Sequence, residues 1–471
     1  MSGKYKYLLK NMGLLTLSNF GTKLLSFLLV PLYTSILTTE EYGSFDFVNT
    51  TVTLLIPIFT LDIVDSVVRF SLDENQDKKQ VFTVGFKLTL RSILFVTIFI
   101  LVNYFTNFMP VINEYLGCFA LYYIAYAFNQ LMLYFVRGMD DVFDLAISSI
   151  INSIVMLSLN VLFLVVFKFG IIGYFLAYIV GQLVSAGYIF IRLKTWRYVS
   201  FATQSETLQR DMVQYSRPLI LNMVSWWVNN ASDRYIVTWL CGLASNGLLA
   251  VGNKIPSILN IFQSIFTQAW QLSTVKAYDP EDKEGFFANV YTLYNFIMVE
   301  MCALLIIMDK PLAHFLYAKD FYEAWQYVPF YLIAIVFGAV SSFMGGIFQA
   351  VKDSKAQSST TVFGAVCNII MNIILVLMYG PIGAALSTAL SYLIVWAMRL
   401  YKIRKYIVLR INLKRDIMAY SLLFLDTIIL LFFNDSMILY ICLIGVFLII
   451  SYMYNSELKN IFIKMKHMIV R

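Results

Sequence analysis

The chain has 471 residues, 60% of them hydrophobic and 13% charged, and its mean hydropathy is +0.73. A soluble domain of this length could not hide that much apolar surface, so the composition reads as a membrane protein. The formal charge of +7 is explained below by a sidedness bias, which leaves a nucleic-acid partner without support.

About fourteen apolar stretches of roughly 18–28 residues follow one another, each long enough to cross a hydrocarbon core of about 30 Å as a helix. They run over 11–37, 44–71, 81–105, 115–136, 145–167, 171–193, 213–240, 246–275, 286–308, 325–350, 357–378, 382–403, 416–433 and 436–455. The first is too long for the apolar core of a signal peptide and no small-residue cleavage site follows it, so a retained span is expected. Pro57 is expected to bend the second span. The longest inner connection, 194–212, carries Trp196, Tyr198 and Phe201 among Arg and Lys, a pattern for a segment lying on the inner surface. The longest outer one is 309–324.

Assigning the connections alternately to the two sides sorts the cations. One side holds Lys4, Lys6, Lys10, the loops around Lys78, Arg137, 192–217, Lys276 and Lys352, the run 399–415 and the tail from Lys459. The other holds only Lys168, Lys310 and Lys319. The positive-inside rule makes the first side cytoplasmic and puts both termini there. Basic loops such as 399–415 also favour an anionic inner leaflet. Lys23, Arg69, Arg234 and Lys254 fall inside the spans.

The chain repeats itself. Gly170-Ile-Ile-Gly173, opening a span that ends at Arg192, recurs 210 residues later as Gly380-Pro-Ile-Gly383, opening a span that ends at Lys402. Asn19 to Lys23 recurs at an offset of 211 as Asn230 to Arg234. Six spans lie between, so the halves share one orientation, related by an axis along the membrane normal. The expected fold class is an all-α membrane protein: six-helix bundles over 1–194 and 213–405, an interfacial linker over 195–212, and two further spans with a basic tail over 406–471. Substrate paths in such proteins run between the halves, near the midplane.

Span eight carries Asn253, Ser257, Asn260, Ser264, Gln268 and Gln271 at spacings of three and four, one face of a continuous helix. A polar face in hydrocarbon must meet protein or water, so a wet cavity is expected there, with Leu259 and Ile265 turned away from it. Span seven carries Asn222, Ser225, Asn229 and Asp233 on one face, with Trp226, Asn230 and Arg234 on the adjacent row. Span one has Asn19, Thr22, Lys23 and Ser26. Span two has Asn49, Thr53 and Thr60, then Asp62, Asp65 and Arg69. Together these four spans would line a central cleft.

Lys23 lies mid-span, where a cation costs at least about 2.5–3.5 kcal/mol unless it reaches water or a partner. An anion-binding role competes there with a structural ion pair. Arg234 and Lys254 lie in the outer halves of their spans and could also snorkel outward. Arg69 is better placed to pair with Asp65 or to snorkel. Asp233 adjoins Arg234 but points about 100° away on a helix. Asp62, Asp65, Asp233 and Glu300 are candidates for ion or proton coupling, each against a purely structural role. The five cysteines stand singly and no zinc or phosphate-loop motif appears, so neither a metal, a cofactor nor a catalytic constellation is expected.

The segments LLSFLLVPLYTSILTTEEYGSFDF (24–47), after Lys23, and SDRYIVTWLCGLASNGLLAVGNKI (232–255) resemble the O-antigen and capsule-type polysaccharide flippases of the multidrug/oligosaccharidyl-lipid/polysaccharide exporter superfamily. The resemblance in pattern and topology covers nearly the whole chain, and Glu41-Tyr42-Gly43 and Asp233-Arg234-Tyr235 are its most specific blocks. It implies two six-helix bundles around a cleft with two added helices. The implied activity is carrying an undecaprenyl-pyrophosphate-linked oligosaccharide from the inner to the outer leaflet of the bacterial cytoplasmic membrane, by alternating access. The family's intramembrane cations match Lys23 and Arg234 by position; Lys rather than Arg at 23 disfavours bidentate phosphate binding there. Partners so implied are the lipid-linked glycan, membrane lipids and a polysaccharide polymerase or glycosyltransferases. A small-molecule antiporter of the same fold is the rival that the acids keep open, and a membrane-embedded polymerase or glycosyltransferase is disfavoured by the short outer loops.

Overall fold

The computed structural model describes residues 27–73, 75–200, 206–283, 285–351 and 353–455, and every regular element among them is helical. By contact density the chain divides between Tyr235 and Ile236 into two compact units. Eight helices among the described residues are long and apolar enough to cross a membrane, or nine counting a bent pair, against the fourteen expected from sequence. The difference has local causes. Leu243–Gly252 and Met437–Met453 are short, and Leu413–Phe432 carries Arg415, Asp416 and Asp426. Most of the first stretch lies outside the described residues.

In the first unit, α1 (Val30–Ile36) leads into α2 (Thr39–Phe59) through a capping box. The Glu41 N–H donates to Thr38 Oγ1 at 3.1 Å, and the Thr38 N–H donates to Glu41 Oε2 at 2.8 Å. Tyr42 stacks on Tyr33 at 4.6 Å, fixing the turn between the two helices. The Glu-Tyr-Gly block thus shapes a helix entry. Span two is not one rod. α2 gives way to α3 (Ile63–Ser71) with a 59° bend, a few residues beyond Pro57, at Leu61 and Asp62. Both sit at left-handed backbone angles, φ 56° and 49°, which L residues seldom adopt.

α4 (Lys78–Thr106), the short α5 (Pro110–Glu114), α6 (Leu116–Gly138), α7 (Val142–Asn160), which ends in a π-turn over Val161–Val166, and α8 (Gly170–Arg192) complete this bundle. Ile63, Val67, Phe82, Leu131, Phe135 and Ile189 form its core. The expected surface segment over 194–212 contains one 3₁₀ turn, Thr195–Tyr198, and α9 (Glu206–Cys241) begins earlier than the expected span; 201–205 lie outside the described residues.

The second unit holds α10 (Leu243–Gly252), α11 (Pro256–Ala277), α12 (Phe286–Ile307), α13 (Asp309–Leu316), α14 (Val328–Ala350), α15 (Ser354–Tyr379), α16 (Pro381–Ile403), α17 (Leu413–Phe432) and α18 (Met437–Met453). α14 is the most enclosed of the spans, packed by α11, α12 and α16. The connection 309–324, expected on the outer side, is largely helical, through α13 and a 3₁₀ turn over Lys319–Tyr327. Its Lys310 is turned inward, 3.9 Å from Asp435 and over the Trp325 ring.

The glycine repeat has the same meaning in both units. Gly170 and Gly380 enter α8 and α16 at φ +56° and +66°, which glycine reaches without strain. Gly173 and Gly383 then let each helix lie against the one before it. A Cβ on Gly173 would sit 2.9 Å from Phe163 Cβ, and one on Gly383 only 2.1 Å from the Leu375 carbonyl oxygen.

Candidate functional site

The two segments that carry the resemblance meet inside the first unit. Arg234 on α9 is 8% exposed, and its Nε lies 3.6 Å from Asp46 Oδ2 on α2. Its backbone N–H donates to Asp233 Oδ1 at 2.9 Å. Tyr235 hydrogen-bonds Thr51 through its hydroxyl at 2.6 Å and packs on Phe47, and the Trp227 indole N–H donates to the Thr50 carbonyl at 3.1 Å. Asp-Arg-Tyr is therefore a clamp between α9 and α2 with a charged pair at its centre. Arg234 is buried, which corrects the snorkelling alternative. Asp46, which sequence reasoning did not name, is an acidic partner of its side chain. The signal was present in sequence: Asp46 shares a helix face with Asn49 and Thr53, and it closes the quoted segment 24–47.

Asp62 and Asp65 flank the break in span two. Asp62 is 4% exposed and Asp65 is half-buried. Arg69 is exposed. Asn49 accepts a 2.7 Å hydrogen bond from the Tyr122 hydroxyl, so it serves contact with α6.

In the second unit the expected continuous polar face is interrupted. Span eight divides at Asn253–Ile255, ahead of Pro256, whose ring and missing N–H end the preceding helix. Asn253 and Lys254, both half-buried, sit in the break; Ser257, Asn260 and Ser264 follow on α11. The Ser257 and Ser264 hydroxyls donate to the Lys254 and Ile261 carbonyls, so their first partners lie within the local chain. Asn260 is exposed. Leu259 is buried and Ile265 is exposed, and the packed edge of α11 runs through Trp270, whose N–H donates to the Phe343 carbonyl at 2.9 Å. Glu300 accepts a 3.0 Å hydrogen bond from Ser451 on α18. Lys23, Asn19 and Ser26 lie outside the described residues, as do the side chains of Asn222, Asn229 and Gln268.

Sequence reasoning also missed several buried charges, Arg399 and Asp426 among them. Arg399, counted among the inner-loop cations, is 7% exposed within α16 and donates to the Ser341 carbonyl, Thr360 and Thr361, joining three helices. Asp426 on α17 is fully buried, and neither carboxyl oxygen has a hydrogen-bond partner. No group of His, Cys, Asp and Glu among the described residues could hold a metal ion.

A sequence model of the family described as "Polysaccharide biosynthesis protein" matches residues 8–271, more than half of the chain. The probable low-salt glycan biosynthesis flippase Agl15 of Haloferax volcanii is 22% identical over 193 residues, 39% of either chain. The uncharacterized membrane protein MJ1375 of Methanocaldococcus jannaschii is 25% identical over 202 residues, 42% of this chain and 48% of its own length. The matched region thus spans less than half of each relative. Among solved structures, lipid II flippase MurJ in an inward closed conformation superposes with TM-score 0.66 at 14% identity, over 95% of this chain and 99% of its own. An inward-facing multidrug resistance MATE family transporter of the MOP superfamily gives 0.68 at 15%, over 82% and 95%. The all-α fold expected from sequence is the fold these transporters share.

Proposed function

Because the chain belongs to the polysaccharide biosynthesis protein family, we propose that it is a flippase for a lipid-linked glycan. The cargo in this reading is an undecaprenyl-pyrophosphate-linked oligosaccharide repeat unit. It crosses from the inner to the outer leaflet of a bacterial cytoplasmic membrane, by alternating access, for surface polysaccharide assembly. The observation that carries the reading is the Arg234–Asp46 pair. At 3.6 Å it is an ion pair longer than a charge-assisted hydrogen bond, which closes to about 2.7–2.9 Å. A diphosphate oxygen offers the guanidinium a shorter contact and more charge than one carboxylate does. Binding of the headgroup would exchange Asp46 for phosphate and loosen the α2–α9 clamp at the same moment, coupling occupancy to movement. Lys23, from its position in the repeat, and Lys254 are assigned to the same headgroup, and the amides and hydroxyls of spans seven and eight to the glycan. The polyprenyl tail stays in lipid.

Loss of surface glycan in cells carrying Arg234→Ala at normal membrane abundance, with partial recovery in Arg234→Lys, is the expected result. Normal glycan export in Arg234→Ala would exclude the role. The buried acids Asp62 and Asp233 favour a second reading, a small-molecule antiporter, since a cationic cargo needs carboxylates. Export of cationic dyes that is lost in Asp62→Asn would support it.

A further inference from the structure

The inner ends of α15 and α16 enclose a pocket of about 750 Å³ lined by Lys355, Ser359, Lys402, Arg404, Lys405 and Tyr406, with Asp353, Ala356 and Tyr401 at its edges. Four of these residues are cations and one is an acid. Asp353 is already engaged: its carboxylate caps α15, accepting the Ala356 N–H at 2.9 Å, and accepts the Tyr406 hydroxyl. Those bonds hold its carboxyl below the ordinary value of 3.8, so it stays ionised while committed to the fold. The Lys402 ammonium donates to Ser359 Oγ at 2.8 Å, a neutral partner.

The repeat shows that this charge is specific to the second unit. Arg192, which stands 210 residues before Lys402, is neutralised by buried Asp144 at 3.2 Å. The same offset sets Arg404 against Lys194 and Lys405 against Thr195, while the N-caps of α7 and α15, Asp141 and Asp353, lie 212 apart, which sets Ala356 against Asp144 and Lys355 against Phe143. The second unit has lost the acid and gained two cations at matched positions. Beside them lie the aromatic faces of Tyr401 and Tyr406 and the alkyl stems of the lysines, an apolar wall under a cationic rim.

We propose that this pocket binds a phosphate-bearing anion, and that its occupant is the headgroup of an anionic phospholipid of the inner leaflet. The positive-inside bias puts the pocket on that side, at the level of the headgroups, and the apolar wall accepts the glycerol and upper acyl chains. The site is separate from the transported cargo and does not rest on the transport reading.

The test uses the full-length protein purified in detergent and native mass spectrometry with phosphatidylglycerol or phosphatidylcholine. Each basic residue near the site strengthens anion binding about fivefold, so Lys402→Gln/Arg404→Gln/Lys405→Gln should weaken phosphatidylglycerol binding about hundredfold. The control Arg410→Gln/Lys414→Gln removes exposed cations outside the pocket and should bind as wild type does. Phosphatidylcholine should bind weakly to all three. Inorganic phosphate is added as competitor: failure to displace the lipid at millimolar concentration assigns the site to lipid. Displacement that is itself lost in the triple variant keeps the phosphate site but overturns the lipid as its occupant. Equal phosphatidylglycerol binding by the triple variant and the control would overturn the proposal.

Discussion

Replacing Arg234 separates a transport role from a structural one, because the structure supplies its partner. At 3.6 Å, unit charges attract by about 4–5 kcal/mol in a medium of effective dielectric about 20. Removing one member of a buried pair costs about 3–5 kcal/mol, mostly through the charge left behind. Asp46 keeps 18% of its side chain exposed, which moves the expectation for Arg234→Ala to the lower end, about 3 kcal/mol. Asp46→Asn alone should cost a similar amount. The double variant leaves no lone charge and should recover about 2 kcal/mol of the summed loss, within the range found for directly coupled residues. Thermal unfolding of the four proteins in one detergent gives the cycle, and surface glycan gives transport. The account expects stability to return in the double variant while glycan export stays absent. Return of both would reduce Arg234 to a structural partner of Asp46. Additive losses would mean that the pair is not formed.

The repeat glycines should differ in tolerance: Gly383→Ala must move the Leu375 backbone, whereas Gly173→Ala meets the Cβ atoms of Phe163 and Phe169. Both should lose stability by about 1–3 kcal/mol, Gly383→Ala the more, as read from melting temperatures. Arg399→Lys keeps the charge but cannot span Ser341, Thr360 and Thr361 together. It should melt earlier by the equivalent of about 1.5–3 kcal/mol, and an unchanged melt would discount the three-helix tie. Asp353, held below 3.8 in the folded state, contributes stability that is present above that value and is lost as pH falls below it. Asp353→Asn should flatten that acid limb of the stability curve, and an unaltered limb would remove Asp353 from it.

The all-α membrane fold was legible because apolar length and the placement of Lys and Arg are one-dimensional signals. The repeat was legible for a related reason: Gly170 and Gly380 serve backbone angles, and Gly173 and Gly383 serve close approach, so neither pair tolerates another residue well. Breaks were harder. Pro57 announced a bend, but the break falls at Leu61 and Asp62, whose left-handed angles nothing in their side chains advertises. Pro256, four residues after Gly252, marks the interruption of span eight, yet the polar spacing on either side stays in register and hid it. The Arg234–Asp46 pair is long-range, joining residues on different helices, and helix periodicity says nothing about which face meets which partner. Arg399 was misread for a similar reason: it stands in a basic run near a span end, and only packing against α14 and α15 buries it.

Proteoliposomes containing the purified protein and a fluorescent polyprenyl-diphosphate oligosaccharide test the central claim most directly. Loss of headgroup protection from an impermeant quencher reports the lipid's passage between leaflets. The account predicts passage that depends on the protein, is abolished by Arg234→Ala and is not competed by cationic dyes. Protein-dependent movement of cationic dyes, with the lipid-linked glycan left in its original leaflet, would contradict it.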